Sequence, residues 1–323
     1  MPAISASAPG KVILFGEHAV VYGHPAIAVP VDKVKARAIV QADPRGGPGE
    51  VRIQAPGINL DSLLSDLPKE NPLAFAVRGV LSHLGINLPP ACEIRITSTI
   101  PVASGMGSGA AVSVAVVRAF SAFMGSPMRD EEVSALAYEV ECIYHGTPSG
   151  IDNTVVTYAV PVYFAREHPI ETLAVPKPFT LLIGDTGISS PTSIAVGDVR
   201  QAWQKNPTLY EHCFSAIGEI SRRARQWIES GNLQALGALM NDNHALLQKI
   251  GVSSPELDRM VEAAISAGAS GAKLSGAGRG GNMIALATPE DAPDIARALY
   301  NVGASNVIIT EVRGPTTSRD VAG

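Results

Sequence analysis

The sequence is poor in the residues that mark disulfide-bonded and zinc-scaffold proteins. It has only three cysteines in 323 residues, Cys92, Cys142 and Cys213. Three cysteines cannot all pair, and their spacing suits neither a zinc site nor a disulfide framework. The chain also has no excess of positive charge, since 30 acidic residues outnumber 25 lysines and arginines. The resulting net charge of −5 argues against a nucleic-acid partner.

Long apolar segments are missing as well. The first residues, Met1 to Ser5, carry no basic region of the kind that begins a signal peptide. The apolar stretch after Lys11 is too short and too interrupted to cross a membrane. We therefore expect a soluble, cytoplasmic protein without a membrane partner.

The usual phosphate-binding signatures are absent. The sequence contains no GxxxxGKS or GxxxxGKT run, which excludes a P-loop, and it lacks the protein-kinase motifs. A dinucleotide-binding fold needs a strand that ends in an acid about twenty residues after its glycines. Asp130 lies at that distance but begins a predicted helix, so any phosphate site must be of another type.

The length and composition predict two domains. Hydrophobic residues make up 46% of the chain and charged residues 17%, so the chain can bury a substantial core. Its length exceeds what one core usually supports. Charges and three prolines between residues 166 and 178 follow a predicted strand and indicate a boundary, which gives domains 1–170 and 171–323.

A glycine-rich loop lies between a predicted strand and a predicted helix. Ile94 and Ile96 alternate as in a strand, and residues 110–123 are almost wholly apolar, which indicates a buried helix. Between them, three glycines at 105–109 leave the backbone bare. Such a loop before a helix is a potential phosphate site, because its N–H groups point outward and the helix dipole favours negative charge. A purely structural turn would have the same composition.

Two acids flank a turn rich in glycine and proline. Glu141 lies on the last turn of a helix predicted from Asp130 to about His145. Asp152 follows the turn and leads into residues 153–160, which we predict to be a strand. This arrangement suits a metal ligand beside a catalytic base, but a helix end with two solvated acids is the alternative.

Two further segments combine glycine with charged residues. Near the start, Lys11 opens a predicted strand that ends in Gly16-Glu-His18. Later, residues 271–281 are mostly glycine and alanine and precede a predicted strand at 282–287. A bare backbone of this kind is typical of close approach to another group, although a flexible hairpin would look alike.

Taken in order, these segments resemble the three motifs of the GHMP kinase superfamily. The matching runs are Pro9-Gly-Lys11 with Gly16-Glu-His18, then Pro101-x-x-x-Gly-x-Gly-Ser-x-Ala-Ala111, then Lys273-Leu-Ser-Gly-Ala-Gly278. Within the superfamily, residues 16–23 and 145–153 are similar to the mevalonate kinase family. The resemblance covers most of residues 5–313.

The resemblance implies an α/β (α+β) GHMP kinase fold of two domains with the active site in the cleft between them. The N-terminal domain would be similar to domain 2 of ribosomal protein S5, and the C-terminal domain would be ferredoxin-like. The implied reaction is ATP-dependent phosphorylation of the 5-hydroxyl of mevalonate, in isoprenoid precursor synthesis, with ATP and Mg²⁺ as cofactors. A homodimer is expected at the level of the family only.

The resemblance also implies a role for each motif. Lys11 and Asp152 would be catalytic, with Asp152 as base or electrostatic orienter and Lys11 keeping it ionised. Mg²⁺ would be held by Glu141 and Ser108. The implied substrate contacts are Glu17, His18, Asp152, Ser190 and Thr192. The implied nucleotide contacts are Pro101, Ser104, Gly105, Met106, Gly107, Ser108, Gly109, Ala110, Ser275, Gly276, Ala277 and Gly278.

The sequence departs from the family pattern at two positions. Gly109 stands where the family usually has a second serine, which is credited with a magnesium contact, so we assign that contact to Ser108 or to water. Arg279 stands where glycine is commoner, and its side chain would either reach a phosphate or point to solvent. Two alternatives stay open: another GHMP kinase, acting on phosphomevalonate, a sugar or a different mevalonate hydroxyl, and a non-catalytic sensor of ATP and ligand.

Overall fold

The computed structural model describes residues 3–101, 105–145, 148–165, 168–169 and 171–314. The chain forms two compact units, each assembled from three segments of the sequence. The first unit comprises Met1–Gly10, Val34–Pro101 and Gly107–Ala159, and the second comprises Lys11–Lys33, Val102–Met106 and Val160–Gly323. The domain bounds 1–170 and 171–323 stay a prediction.

The first part of the chain begins with strands and continues mainly with helices, and its strands β1 and β2 contribute residues to both units. The elements are β1 (Ile4–Phe15), β2 (Ala26–Ala42), β3 (Val51–Ala55), β4 (Leu60–Leu63), α1 (Pro72–Leu84), β5 (Cys92–Ser98), α2 (Ser108–Phe123), α3 (Asp130–His145) and α4 (Ile151–Tyr158). A 3-10 helix, Ala19–Tyr22, follows β1.

In the first unit, β5 lies between β3, which is parallel to it, and β2, which is antiparallel, while β4 pairs with the far side of β3. Alternate residues of β5 are buried, including Ile94 and Ile96, because successive side chains of a strand point to opposite faces. The helix α2 packs against α1, α3, α4 and β5. It confirms the buried helix that the apolar run 110–123 predicts.

The predicted strand at residues 153–160 is wrong, because this segment forms the helix α4. Val155, Val156 and Thr157 favour a strand by intrinsic preference. Packing overrides that preference here: all three are buried, and α4 contacts both α2 and α3. Gly150, with φ of 88°, provides the left-handed turn from which the helix starts.

The remaining α-helices and strands of the described residues lie in the second unit. They are β6 (Val162–Phe164), β7 (Glu171–Thr172), β8 (Phe179–Asp185), α5 (Thr192–Lys205), α6 (Pro207–Ser230), α7 (Leu236–Lys249), α8 (Pro255–Ser266), β9 (Gly271–Ser275), β10 (Asn282–Ala287), α9 (Ala292–Asn301) and β11 (Asn306–Val312).

Two helices of this unit begin with the same local signal. Asn206 and Ser254 accept hydrogen bonds from the third residue that follows, at 3.4 and 3.3 Å, and each precedes a proline at the first helical position. The cap satisfies an otherwise unbonded N–H group, and the proline has none to satisfy. These two signals fix the positions at which α6 and α8 begin.

Four strands of the second unit form an antiparallel sheet in the order β11-β8-β10-β9. Numbered along the chain, this order is 4-1-3-2, with helices in the first and last connections, as in the ferredoxin-like arrangement that the resemblance implies. Large side chains of α6 and of the sheet form its core, among them Phe214, Ile217 and Leu274. In the described part of the chain, no helix is both long and apolar enough to span a bilayer.

Candidate active site

The first glycine-rich loop leads into α2 through residues in the left-handed conformation. Gly105 and Gly107 have φ values of 78° and 69°, which side chains rarely adopt. Among the described residues, no side chain caps the start of α2, and its first turn contains no acid. The first N–H groups of a helix have no partner within it and carry the positive end of its dipole. This helix start is therefore suited to a phosphate group; the predicted contact Ser104 lies outside the described residues.

The predicted magnesium ligands lie on two different helices of the first unit. Glu141 is on the last described turn of α3 and is only 3% exposed, whereas Ser108 is the first residue of α2 and is partly exposed. Among the described residues, no group of three or more His, Cys, Asp or Glu side chains could hold a metal ion alone. Mg²⁺ often binds to one or two carboxylates with phosphate oxygens and water, so this sparse donor set fits it.

Asp152 lies in the first turn of α4, where the helix dipole favours a negative charge. The residues beside it anchor the helix firmly. The side-chain amide of Asn153 donates to the carbonyl and the hydroxyl of Ser134 on α3, at 3.1 and 2.9 Å. The hydroxyl of Thr154 donates to the carbonyl of Gly150 at 2.7 Å. The backbone that carries Asp152 is therefore fixed by hydrogen bonds to α3 and to Gly150.

Lys11 lies within β1 and is 5% exposed. The strand begins at Ile4, earlier than the sequence predicts. The backbone N–H of Lys11 donates to the carbonyl of Met106 at 3.0 Å, and Met106 itself is buried. The first and second motifs are thus hydrogen-bonded to each other within the second unit.

Glu17 and Lys273 form a buried ion pair that connects the first and third motifs. The Lys273 Nζ contacts Glu17 Oε1, and both side chains have no exposed surface. Burial raises the pKa of Glu17, although the positive charge of Lys273 opposes the rise. Burial likewise lowers the pKa of Lys273, against the charge of Glu17. The Glu17 side chain has no exposed surface that a substrate could contact. The direct substrate contact predicted for Glu17 is therefore not supported by its position, and an indirect role fits it better.

His18 has a positive φ of 60° with a ψ of −47°, a backbone conformation that is unusual for a residue with a side chain. Its Nε2 lies 2.9 Å from the carbonyl oxygen of Ala277. Since a carbonyl can only accept, Nε2 carries the proton. Burial lowers the pKa of His18 to about 4, with Arg279 adding to the fall and the Ala277 carbonyl opposing it. The ring is therefore neutral near pH 7, and its Nδ1 is a hydrogen-bond acceptor.

The third motif forms the turn between β9 and β10. Gly276 and Gly278 have φ values of 92° and 78°. A Cβ at Gly278 would lie 1.9 Å from the carbonyl oxygen of Val252, so only glycine fits there. The Ser275 hydroxyl donates a hydrogen bond to the carbonyl of Ile13 at 2.8 Å. Its single proton is therefore not available for a hydrogen bond to a phosphate.

Arg279 forms an ion pair with another described residue and does not simply extend into solvent. Its guanidinium contacts the carboxylate of Asp198 on α5, and the side chains are 39% and 44% exposed. The predicted substrate contacts Ser190 and Thr192 lie at the start of the same helix, partly exposed and exposed respectively. The N–H of Gly281 also donates to the carbonyl of Ile188 at 2.9 Å. The turn is thus attached to the segment that leads into α5.

Sequence reasoning missed the partners of these residues. Lys273 and Asp198 are absent from the predicted site, although Lys273 belongs to the quoted third motif. A further contact supports β9: the N–H of Leu274 donates to Nδ1 of the buried His244 at 3.3 Å. The only signal that could have found Lys273 was its position in a run that otherwise has small, neutral side chains.

Comparison with known families gives matches to both parts of the chain. The profile described as GHMP kinases N terminal domain matches residues 71–159, and the profile described as GHMP kinases C terminal matches residues 224–305. The mevalonate kinase of Thermococcus sibiricus (strain DSM 12597 / MM 739) is 37% identical, over 94% of this chain and 95% of its own length.

Solved structures of similar chains also cover nearly the whole protein. The crystal structure of L. major mevalonate kinase in complex with R-mevalonate is 33% identical, with a TM-score of 0.82 and coverage of 97% of both chains. That of the Methanococcus jannaschii mevalonate kinase is 26% identical, with a TM-score of 0.84 and coverage of 98% of this chain and 99% of its own.

Proposed function

Because the chain belongs to the GHMP kinase family, we propose that it transfers the γ-phosphoryl group of ATP to the primary 5-hydroxyl of mevalonate, giving 5-phosphomevalonate and ADP. The observation that carries the proposal is the match over the whole chain to L. major mevalonate kinase, which was solved with R-mevalonate bound. The motif residues that the resemblance assigns to this reaction are present in order.

Nucleotide binding is assigned to the first glycine-rich loop and the start of α2. Phosphoryl transfer requires alignment and neutralisation of charge more than covalent chemistry from the protein. Ser108, Gly109 and Ala110 contribute the N–H groups of the first helical turn, which lie where the helix dipole attracts an anion. Apart from its chain neighbours, Gly276 in the third motif has no described atom within 4 Å of the place where a Cβ would lie. Its backbone is therefore open to a close ligand.

Glu141 is the residue we propose to hold Mg²⁺, with Ser108 as a second donor. Its carboxylate is a hard oxygen donor of the kind that Mg²⁺ prefers, and it is held on the helix α3 at 3% exposure. When bound, the ion would neutralise charge on the phosphate oxygens. The absence of a second serine at Gly109 leaves a coordination position that water can fill, as Mg²⁺ commonly permits.

Asp152 and Lys11 are the proposed catalytic residues. Asp152 accepts the proton of the 5-hydroxyl or orients that hydroxyl for attack, and the fixed start of α4 limits its freedom. Lys11 stabilises the negative charge that develops on the attacking oxygen.

Substrate recognition is assigned to His18, with Ser190 and Thr192 as further contacts. Because the His18 ring is neutral and its Nε2–H is held by Ala277, its Nδ1 can accept a hydrogen bond from a substrate hydroxyl. It cannot donate to the carboxylate. We therefore assign His18 to a hydroxyl of mevalonate, and we assign the substrate carboxylate to the hydroxyl groups near the start of α5.

The proposal is tested by ATP-dependent turnover with mevalonate, phosphomevalonate, galactose and homoserine in the presence of Mg²⁺. We expect turnover with mevalonate alone, and Asp152→Asn should lower kcat by about 100-fold or more. Asp294→Asn, at a side chain that is 68% exposed, is the matched control and should keep wild-type kcat. Turnover of another substrate, or nearly full activity of Asp152→Asn, would contradict the assignment.

A further inference from the structure

A lysine in a glycine-rich segment is commonly interpreted as a phosphate ligand. Lys273 lies in such a segment, the glycine- and alanine-rich run 271–281. The structure gives it different surroundings. Lys273 lies in β9 with no exposed side-chain surface, in contact with Glu17. Its Nζ also donates to the carbonyl of Leu274 at 2.6 Å. A buried ammonium group whose protons meet two acceptors is poorly placed to contact a nucleotide.

Three side-chain contacts attach the first motif to the third, all within the second unit. Lys273 contacts Glu17, the Ser275 hydroxyl donates to the carbonyl of Ile13 at 2.8 Å, and His18 Nε2 donates to the carbonyl of Ala277 at 2.9 Å. On the first motif these contacts fall before, within and at the end of the turn that follows β1. The turn is therefore held along its whole length by residues of the glycine-rich segment.

The backbone of this turn would not hold its shape unaided. His18 has φ of 60° and ψ of −47°, a sparsely populated conformation that persists in a residue with a side chain only when its surroundings enforce it. Gly16 has φ of 98°, and a Cβ there would lie 2.5 Å from the Cα of Ala26. The first end of the turn is thus fixed by close packing, and its other end depends on Glu17 and His18.

The Glu17–Lys273 pair is poorly suited to a role in stability alone. Both groups are fully buried, and the second carboxylate oxygen of Glu17 has no donor among the described residues. Buried ion pairs with unsatisfied atoms often contribute no more stability than apolar residues of the same size, because desolvation offsets their attraction. What such a pair does provide is a single defined geometry.

We propose that Lys273 is a positioning residue. Through Glu17 it fixes the turn that presents His18 Nδ1 to a hydroxyl of the substrate, and it makes no phosphate contact. This inference rests on the proposed function. It assigns the same indirect role to Glu17, in place of the direct substrate contact that the sequence predicts.

The test compares Lys273→Met and Glu17→Gln with the double variant that carries both changes. The double variant is the informative one, because it removes both charges at nearly constant volume and leaves no unpaired buried charge. Lys205→Met, at an exposed residue at the end of α5, is the matched control. KM for mevalonate, KM for ATP and kcat are measured for each variant that folds.

We expect the double variant to raise KM for mevalonate by about tenfold or more while KM for ATP changes by less than about twofold. A phosphate-binding lysine would instead raise KM for ATP, and a merely structural pair would change neither constant once the double variant has folded. Either of those results overturns the proposal. If only the double variant folds, its two KM values decide the question.

Wild-type turnover in the same assay separates this proposal from the proposed function. If the wild type does not phosphorylate mevalonate, the proposed function fails, and the role of Lys273 is decided by nitrogen NMR of the histidine rings. His18, identified by loss of its signals in His18→Asn, should report an Nε2–H tautomer in the wild type and an altered tautomer balance in the double variant. Unchanged His18 signals would then overturn the proposal.

Discussion

Lowering the pH from 7 to 5 should destabilise the folded protein through His18. Burial holds the pKa of this ring at about 4 in the folded state, whereas an unfolded histidine has a pKa near 6.5. The unfolded chain therefore binds a proton that the folded chain excludes. A group with a lowered folded pKa contributes stability that is present above about pH 6.5 and is lost as the pH falls towards 4.

The size of the effect follows from these two pKa values. Between pH 7 and pH 5 the free energy of unfolding should fall by about 2 kcal/mol on account of His18 alone. The ring is 5% exposed, so solvent screening reduces the effect little. The ring of His244 is also buried with a lowered pKa and acts in the same direction, as do carboxylates that are paired in the folded state.

Urea unfolding of the wild type and of His18→Asn at pH 7 and pH 5 isolates the contribution of this residue. Asparagine occurs at positive φ more often than most residues with a side chain and has no group that titrates in this range. All other titrating groups are common to both proteins and cancel in the comparison. The wild type should lose about 2 kcal/mol more than the variant between the two pH values. If the free energy of unfolding fell equally in the two proteins, the conclusion that the His18 ring is buried and neutral would be refuted.

Three further predictions concern one glycine in α5, one glycine in α7, and Arg279 of the third motif. Gly197→Ala should stabilise the protein by about 0.5–1 kcal/mol, because this glycine lies inside α5, and outside its own helix backbone no described atom lies within 4 Å of the added Cβ. Gly237→Ala should destabilise it by about 1–3 kcal/mol or more, because its Cβ would lie 2.1 Å from the carbonyl oxygen of Ser270; thermal unfolding of both variants checks the opposite signs. Arg279→Ala should change KM for ATP by less than about twofold and cost under about 1 kcal/mol, because the guanidinium is occupied by a partly exposed ion pair with Asp198. A large rise in KM for ATP would show instead that Arg279 binds a phosphate.

Elements with a strong local pattern could be predicted from the sequence. The apolar run that becomes α2 and the alternation in β5 each carry their own local pattern, and α6 and α8 each have a cap and a proline at the start. The helix α4 could not be predicted in this way. Its β-branched residues favour a strand locally, and the contacts with α2 and α3 that favour the helix join it to other segments of the chain.

The predicted site was incomplete for a related reason. Motifs identify residues one segment at a time, whereas the contacts that define the site join distant segments. Lys273 and Glu17 are 256 residues apart, and Arg279 and Asp198 are 81 apart. No local pattern predicts such pairs, nor does it predict the tautomer of His18, which depends on the carbonyl of Ala277.

The most direct test of the account is the identity of the phosphorylated product, determined by proton-coupled phosphorus NMR after reaction of the wild type with ATP, Mg²⁺ and mevalonate. A phosphate on the primary 5-hydroxyl couples to two protons of the adjacent carbon and gives a triplet. A phosphate on the tertiary 3-hydroxyl has no such protons and gives a singlet. We predict the triplet, with ADP formed in equal amount. A singlet would place the phosphate on another hydroxyl of mevalonate, and an absence of product with ATP still bound would contradict a kinase function.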